Sequence, residues 1–219
     1  MELIPKVFVA GLFMNPPPGA PGGPEVTTER INRVWSEIAP KYGYTQLMIA
    51  PDGSGAQFVG SSTDDVTIVN PPLLQVRDVI SLEASKSAEK AEEIFKVVAR
   101  HVGATQFVNL GIKLVYHAPA PDNNARAFVM NRLLGKTLDD LGELAGAGST
   151  WVGLKVVSSV EESTHYTLIL EPLLRDESLL FIDLDVQFPG AISLDRITDR
   201  ADDAETYLKQ AVNAWLDRH

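Results

Sequence analysis

The sequence predicts an α+β fold: a mostly antiparallel sheet built from two similar β-α-β(3-4)-α units, with the helices mainly on one face. Three observations point there. Short segments rich in Val, Ile, Phe and Tyr alternate apolar and polar residues with the two-residue period of a half-buried strand. Longer segments place apolar residues at i, i+3, i+4 and i+7, the stripe of an amphipathic helix. The order strand, helix, several strands, helix occurs over residues 1–103 and again over 104–219. The repeat is one of element order, without residue identity, and one compact domain is expected to hold both units.

Lys6 to Met14 reads as a buried strand, and the Pro- and Gly-rich Asn15–Pro24 that follows reads as an exposed loop, a connector or a lid over a site. Thr27–Tyr42 reads as a helix capped by Thr27 or Thr28, with Ile31, Val34, Trp35 and Ile38 on one face. Strands are expected at Thr45–Ala50, Ala56–Gly60, Val66–Val69 and Leu74–Ile80, with Pro51–Gly55 as a hairpin turn. Ser87–Val102 is the next helix, its Gly103 suited to a left-handed cap. The second unit opens with a strand over Thr105–Tyr116, a loop at His117–Asn124 and a helix at Ala125–Leu134. A short helix over Thr137–Gly146 follows, then strands at Trp151–Ser158, Thr164–Glu171 and Leu179–Phe188, and a closing helix at Ala201–Leu216. Turns are expected at 161–163 and 174–178.

A chain of 219 residues with 45% hydrophobic and 22% charged residues buries a real core, which excludes disorder as its main state. The absence of cysteine removes disulfides, thiolate metal sites and cysteine nucleophiles, and fits a reducing cytoplasm. The apolar start lacks a basic n-region and a cleavage site, so no signal peptide is expected, and no apolar run reaches the ~18 residues of a membrane span. A formal net charge of −10 argues against broad binding to nucleic acid or anionic lipid.

Strand alternation separates the candidate residues. In the second unit Val108, Leu110, Ile112, Leu114 and Tyr116 share one parity, and Asn109, Lys113 and His117 the other. The later strands add Lys155, His165, Asp183 and Asp185 to the polar side. The plain reading of that side is a solvated face with cross-strand Lys–Asp pairs worth roughly 0.2–1 kcal/mol each. The sharper reading is a site, because Asp183 and Asp185 point the same way, as two carboxylates holding Mg²⁺ against a phosphate would, with a nearby His as acid or base. Of the other histidines, His101 lies near a helix C-terminus and reads as capping, and His219 is terminal. On Lys6–Met14 both parities are apolar, Phe8, Ala10, Leu12 and Met14 against Val7, Val9 and Phe13. Such a strand is covered on both faces, by the chain itself, by a partner or by an apolar ligand, which makes Phe8, Leu12 and Met14 candidate binding residues.

Gln106–Gly135, with its loop His117–Asn124, the Asp-rich Leu179–Gly190 and the segment Ala50–Val59 resemble a functionally uncharacterised bacterial family of duplicated β-α-β-β-β-α units. That family often carries Gly-Leu-Arg-Tyr-Ile-Asn on its central strand, where this chain has Gly111, Ile112, Lys113, Leu114, Val115 and Tyr116. The duplicated order is also similar to the TATA-box-binding-protein fold. The family resemblance implies no activity, and the second implies a saddle shape alone, since DNA binding needs a basic, wedge-bearing surface.

No phosphate loop, zinc-protease helix or nucleophile elbow occurs in the sequence. The leading expectation is therefore a non-catalytic, cytoplasmic interaction module without a cofactor, which binds a protein partner or itself. The alternatives are a metal-dependent phosphoryl-transfer enzyme using Asp183 and Asp185, and a small apolar-ligand carrier.

Overall fold

The computed structural model describes residues 1–62, 65–79, 83–136, 151–160 and 163–219. The helix expected over Thr137–Gly146, the 161–162 part of a turn and the Ile80 end of a strand lie outside them. Among the described residues nine strands form an antiparallel sheet: β1 Ile4–Met14, β2 Gln46–Ile49, β3 Ala56–Val59, β4 Val66–Asn70, β5 Leu73–Asp78, β6 Phe107–Pro119, β7 Leu154–Val160, β8 Thr164–Leu173 and β9 Asp176–Ile192. Their order is β2-β3-β4-β5-β1-β6-β9-β8-β7. The α+β class and the antiparallel sheet read from the sequence are thus observed. No described helix is long and apolar enough to cross a membrane.

Contacts gather the residues into two compact units. One comprises Val7–Lys113 and Gln187–Asp203; the other comprises Met1–Lys6, Leu114–Val186 and Ala204–His219. The first is called the Val7 unit below and the second the Leu114 unit.

In the Val7 unit two helices lie on one sheet face. Helix α1, Thr28–Tyr42, starts where the Thr27 side chain accepts from the Arg30 N–H, and ends at Gly43, whose φ of 69° suits glycine. Its buried stripe is Ile31, Val34, Ile38 and Ala39. Helix α2 spans Ala84–Val102, three residues longer at its start than its apolar stripe suggests, and Gly103 closes it in the left-handed conformation. Lys41 pairs with Glu93, and Arg100 and His101 pair with Glu37, so exposed ion pairs join the helices. His101 thus serves a cross-helix pair besides any interaction with its own helix end. Such exposed pairs contribute little.

Register shows which side the helices cover. One row runs Ala10, Val76, Thr67, Phe58, Leu47, and the next Leu12, Leu74, Val69, Ala56, Ile49. Phe58 meets the Trp35 ring of α1 at 5.8 Å and Tyr44 at 6.3 Å, and Ser87 of α2 bonds Asp78. These rows are therefore the core. The Pro51–Gly55 turn joins β2 to β3 as expected, with the Ala50 N–H donating to the Gly55 carbonyl.

In the Leu114 unit Leu114, Tyr116, Leu168, Leu170, Leu180, Ile182, Leu184 and Val186 are buried. Helix α3 opens as Ala125–Ala127, with Asn124 accepting from the Ala127 N–H, and continues as the π-helical Phe128–Leu133. Helix α4 runs Ile197–Thr206, Tyr207–Val212 and Asn213–Leu216, its middle stretch also π-helical; its residues to Asp203 count with the Val7 unit and those from Ala204 with the Leu114 unit. The apolar stripes mark both helices but not their π turns, which add one residue per bond without changing composition.

One parity assignment needs correction. Phe107, not Val108, is buried, while Leu110, Ile112 and Leu114 are buried as expected. Asn109 takes φ 55°, and its Oδ1 accepts from the Gly190 N–H; this local irregularity shifts the alternation by one residue.

Phe58 is 0% exposed. Phe58→Ala should lower unfolding free energy by about 3–5 kcal/mol, read as a fall in urea midpoint at unchanged m-value.

Candidate functional site

The core of β1 comprises Phe8, Leu12 and Met14, which are 3%, 0% and 2% exposed. They pack in the same layer as Leu74 and Val76, so they present no surface. The surface of this strand is the other parity, Val7, Val9 and Phe13, and Phe13 is 40% exposed.

That parity belongs to three rows on the sheet face opposite the helices. Gly11 pairs with Gln75, then Ile68, Gln57 and Met48. Val9 pairs with Arg77, then Val66, Val59 and Gln46. Phe13 pairs with Leu73, then Asn70. A sheet face left to water ordinarily alternates in charged and polar residues. These rows instead carry Val, Ile, Leu, Phe and Met interleaved with Gln and Asn amides, with Arg77 their one charged residue; Phe13, Gln46, Met48 and Asn70 are exposed, Val66 is buried and the rest are half-buried. At the turn end of β2, β3 and β4 the surface dips into an open groove of about 320 Å³, touched by Met48, Gln57, Ile68 and Asn70.

The polar residues singled out from the sequence come from β6, β7, β8 and β9. Lys113 belongs to the Val7 unit and is half-buried. The others lie in the Leu114 unit. His117 is half-buried on β6, its ring 6.1 Å from Phe181. Burial lowers its pKa most, Lys6 lowers it further and Asp176 opposes them. His165 is exposed, pairs in register with Ser159 and shares a 2.8 Å contact between its Nδ1 and the serine Oγ. Lys155 pairs with Ile169, four residues along the same strand from Ser159 and thus about 13 Å away. His117 and His165 sit on strands separated by β9, so they do not face each other across one ladder. Asp183 is buried and Asp185 half-buried on the same parity of β9. Among the described residues no group of three or more His, Asp or Glu side chains is placed to hold a metal ion.

An ionic group inside the Val7 unit was not singled out from the sequence. Lys90 Nζ lies 2.7 Å from Asp65 Oδ1 and 3.6 Å from Asp78 Oδ1. Its side chain is 11% exposed and that of Asp65 0%. The ammonium also sits 5.3 Å from the Tyr44 ring centre and 5.6 Å from that of Tyr42. Tyr44 OH shares a 2.7 Å bond with Thr67, and Ser87 donates to Asp78 at 2.7 Å. Burial pushes the Tyr44 phenol well above its ordinary range, so it stays protonated. Among the described residues Asp65 Oδ2 has no hydrogen-bond partner, and it faces Gly60, where a Cβ would come within 2.5 Å of it. Burial raises the Asp65 pKa, more than Lys90 lowers it. A signal was present: Asp78 continues the buried parity of Leu74 and Val76, and Lys90 borders the apolar stripe of α2. The geometry of this ionic group joins α2 to the strands.

Lys90→Ala removes the ammonium that two buried carboxylates share and should cost about 3–5 kcal/mol in chemical unfolding. Asp65 holds its proton more tightly folded than unfolded, so its contribution is full below the unfolded pKa and is lost as pH rises through the folded value. The stability of the native chain relative to Asp65→Asn should therefore fall with rising pH across that interval, measured by urea titration at successive pH values.

No protein-family model matches this chain, and no curated protein sequence matches it.

Proposed function

We propose that this chain is a non-catalytic protein-interaction module whose docking surface is the face of β2-β3-β4-β5-β1 opposite α1 and α2. The observation that carries the reading is the composition of the three rows, apolar and amide side chains with one guanidinium, in a chain of net charge −10. Interface centres are depleted in charge and enriched in aromatic residues, Met and Arg. Phe13 at 40% and Met48 at 48% exposure fit that pattern, and burying them against another protein would recover apolar area that water now covers. The occupant is a polypeptide with apolar side chains at alternate positions, since the rows repeat at the spacing of a sheet. Acidic overall charge disfavours nucleic acid as the partner.

A second reading has one observation of its own. The groove beside Met48 and Ile68 has about 320 Å³, at the lower end of small-molecule sites, and would take a small apolar ligand.

Selection of a displayed random-peptide library on the purified chain tests the first reading. Peptides with alternating apolar residues should be recovered, and Ile68→Asp should weaken them at least tenfold while leaving far-UV circular dichroism unchanged. Recovered peptides indifferent to Ile68→Asp and Phe13→Asp would place docking elsewhere. Native mass spectrometry that finds an organic mass released by Met48→Asp would favour the small-ligand reading.

A further inference from the structure

Strand β7, Leu154–Val160, closes the sheet order at one end, and β8 is its one described neighbour in the sheet. Its outward edge carries backbone donors and acceptors with no ladder partner among the described residues. Natural edge strands are blunted by proline, bulges or several charges. The sequence Leu-Lys-Val-Val-Ser-Ser-Val contains no proline and one charge, Lys155. Val156 and Val157 are 41% and 65% exposed, on opposite faces of the strand. Each would gain a neighbour on its own face if another strand paired there.

We propose that β7 is a self-association edge, on which β7 of a second copy pairs antiparallel about a twofold axis at Val157. The strand is complementary to itself in that register. An axis through Val157 pairs all seven residues, whereas an axis through any other residue leaves some unpaired. It sets Lys155 opposite Ser159 of the second copy and Val156 opposite its Ser158, so no like charges meet. Charge within the strand permits the same occupant: Leu154–Val160 has no Asp or Glu, so the ladder itself sets no carboxylates against each other in a chain of net charge −10. The ladder would continue through existing pairs, Thr167 beside Val157 and Ile169 beside Lys155 on each side. Pairing through backbone bonds with alternate side chains adding packing is ordinary strand addition. This inference does not rest on the docking face of the Val7 unit, which lies on other strands.

The absence of cysteine allows a direct test. A Val157→Cys chain places one thiol on the proposed axis, where antiparallel partners bring Cα atoms to roughly 4.5–5.5 Å, within disulfide reach. Mild oxidation should give a disulfide-linked dimer, while Ser36→Cys on exposed α1 should give none at the same concentration. Sedimentation of the native chain should show twice its 23.8 kDa mass, and Val157→Lys, which sets two ammonium groups face to face, should return it to the single-chain mass. Val157→Thr should keep the dimer, since threonine suits an exposed strand. A native chain that stays at 23.8 kDa at about 100 times the concentration used for crosslinking would overturn the proposal. So would a dimer indifferent to Val157→Lys, or equal crosslinking at positions 36 and 157. Ile68→Asp should leave the dimer intact, which separates failure here from failure of the docking face.

Discussion

One-sided burial of the sheet is the constraint on which the Val7 unit depends. Strands expose alternate residues to opposite faces, so the choice of covered face divides every strand into core and surface at once. Here α1 and α2 cover the side that holds Phe58, Val76, Leu12 and Ala10, all 0% exposed. A slip of one residue in any of these strands would turn Phe58 or Val76 toward water and bring Gln57 or Gln75 beneath the helices. The antiparallel register is held by that penalty more than by the surface ion pairs between the helices.

The core is not purely apolar, and the exception lies where several elements meet. Lys90 of α2 sits between Asp65 before β4 and Asp78 at the end of β5, with Tyr44 and Thr67 alongside. A buried ion pair gains little over a hydrophobic replacement, because desolvation opposes attraction. Its consequence is geometric. A charge this deep is tolerated only where its counter-charges sit, so the group sets the position of α2 along the strands in a way that aliphatic contacts alone do not. Gly60 takes part passively, since a side chain there would displace Asp65.

In the Val7 unit the rows through Ile68 and Gln75 are apolar and amide-bearing. In the Leu114 unit His117, Lys155, His165, Asp183 and Asp185 are spread over four strands. An exposed Ser159 and His165 share a hydrogen bond between the serine Oγ and the imidazole Nδ1. Nucleophilic catalysis asks for a base oriented by a third group and a pocket around it. The contact between Ser159 and His165 is a cross-strand pair of β7 and β8.

The sequence by itself determined the class, most of the elements and much of the core. Thr27 as a cap, Gly43 and Gly103 as helix ends, the Pro51–Gly55 turn and the stripe Ile31, Val34 and Ile38 are local features, set within four or five residues of themselves. Local chemistry is legible because its partners are near in the chain. The tertiary structure alone decided which apolar face of β1 is core, because Phe8 and Val9 have similar character and differ in which one a helix covers. It decided the shift at Asn109, whose partner Gly190 lies 81 residues away, and the assembly of Asp65, Asp78 and Lys90 from three elements. It also decided that β7 and β2 lie at the sheet ends. Strand order depends on long-range pairings, and a residue pattern with a period of two is the same for a strand in the middle of a sheet and for one at its edge.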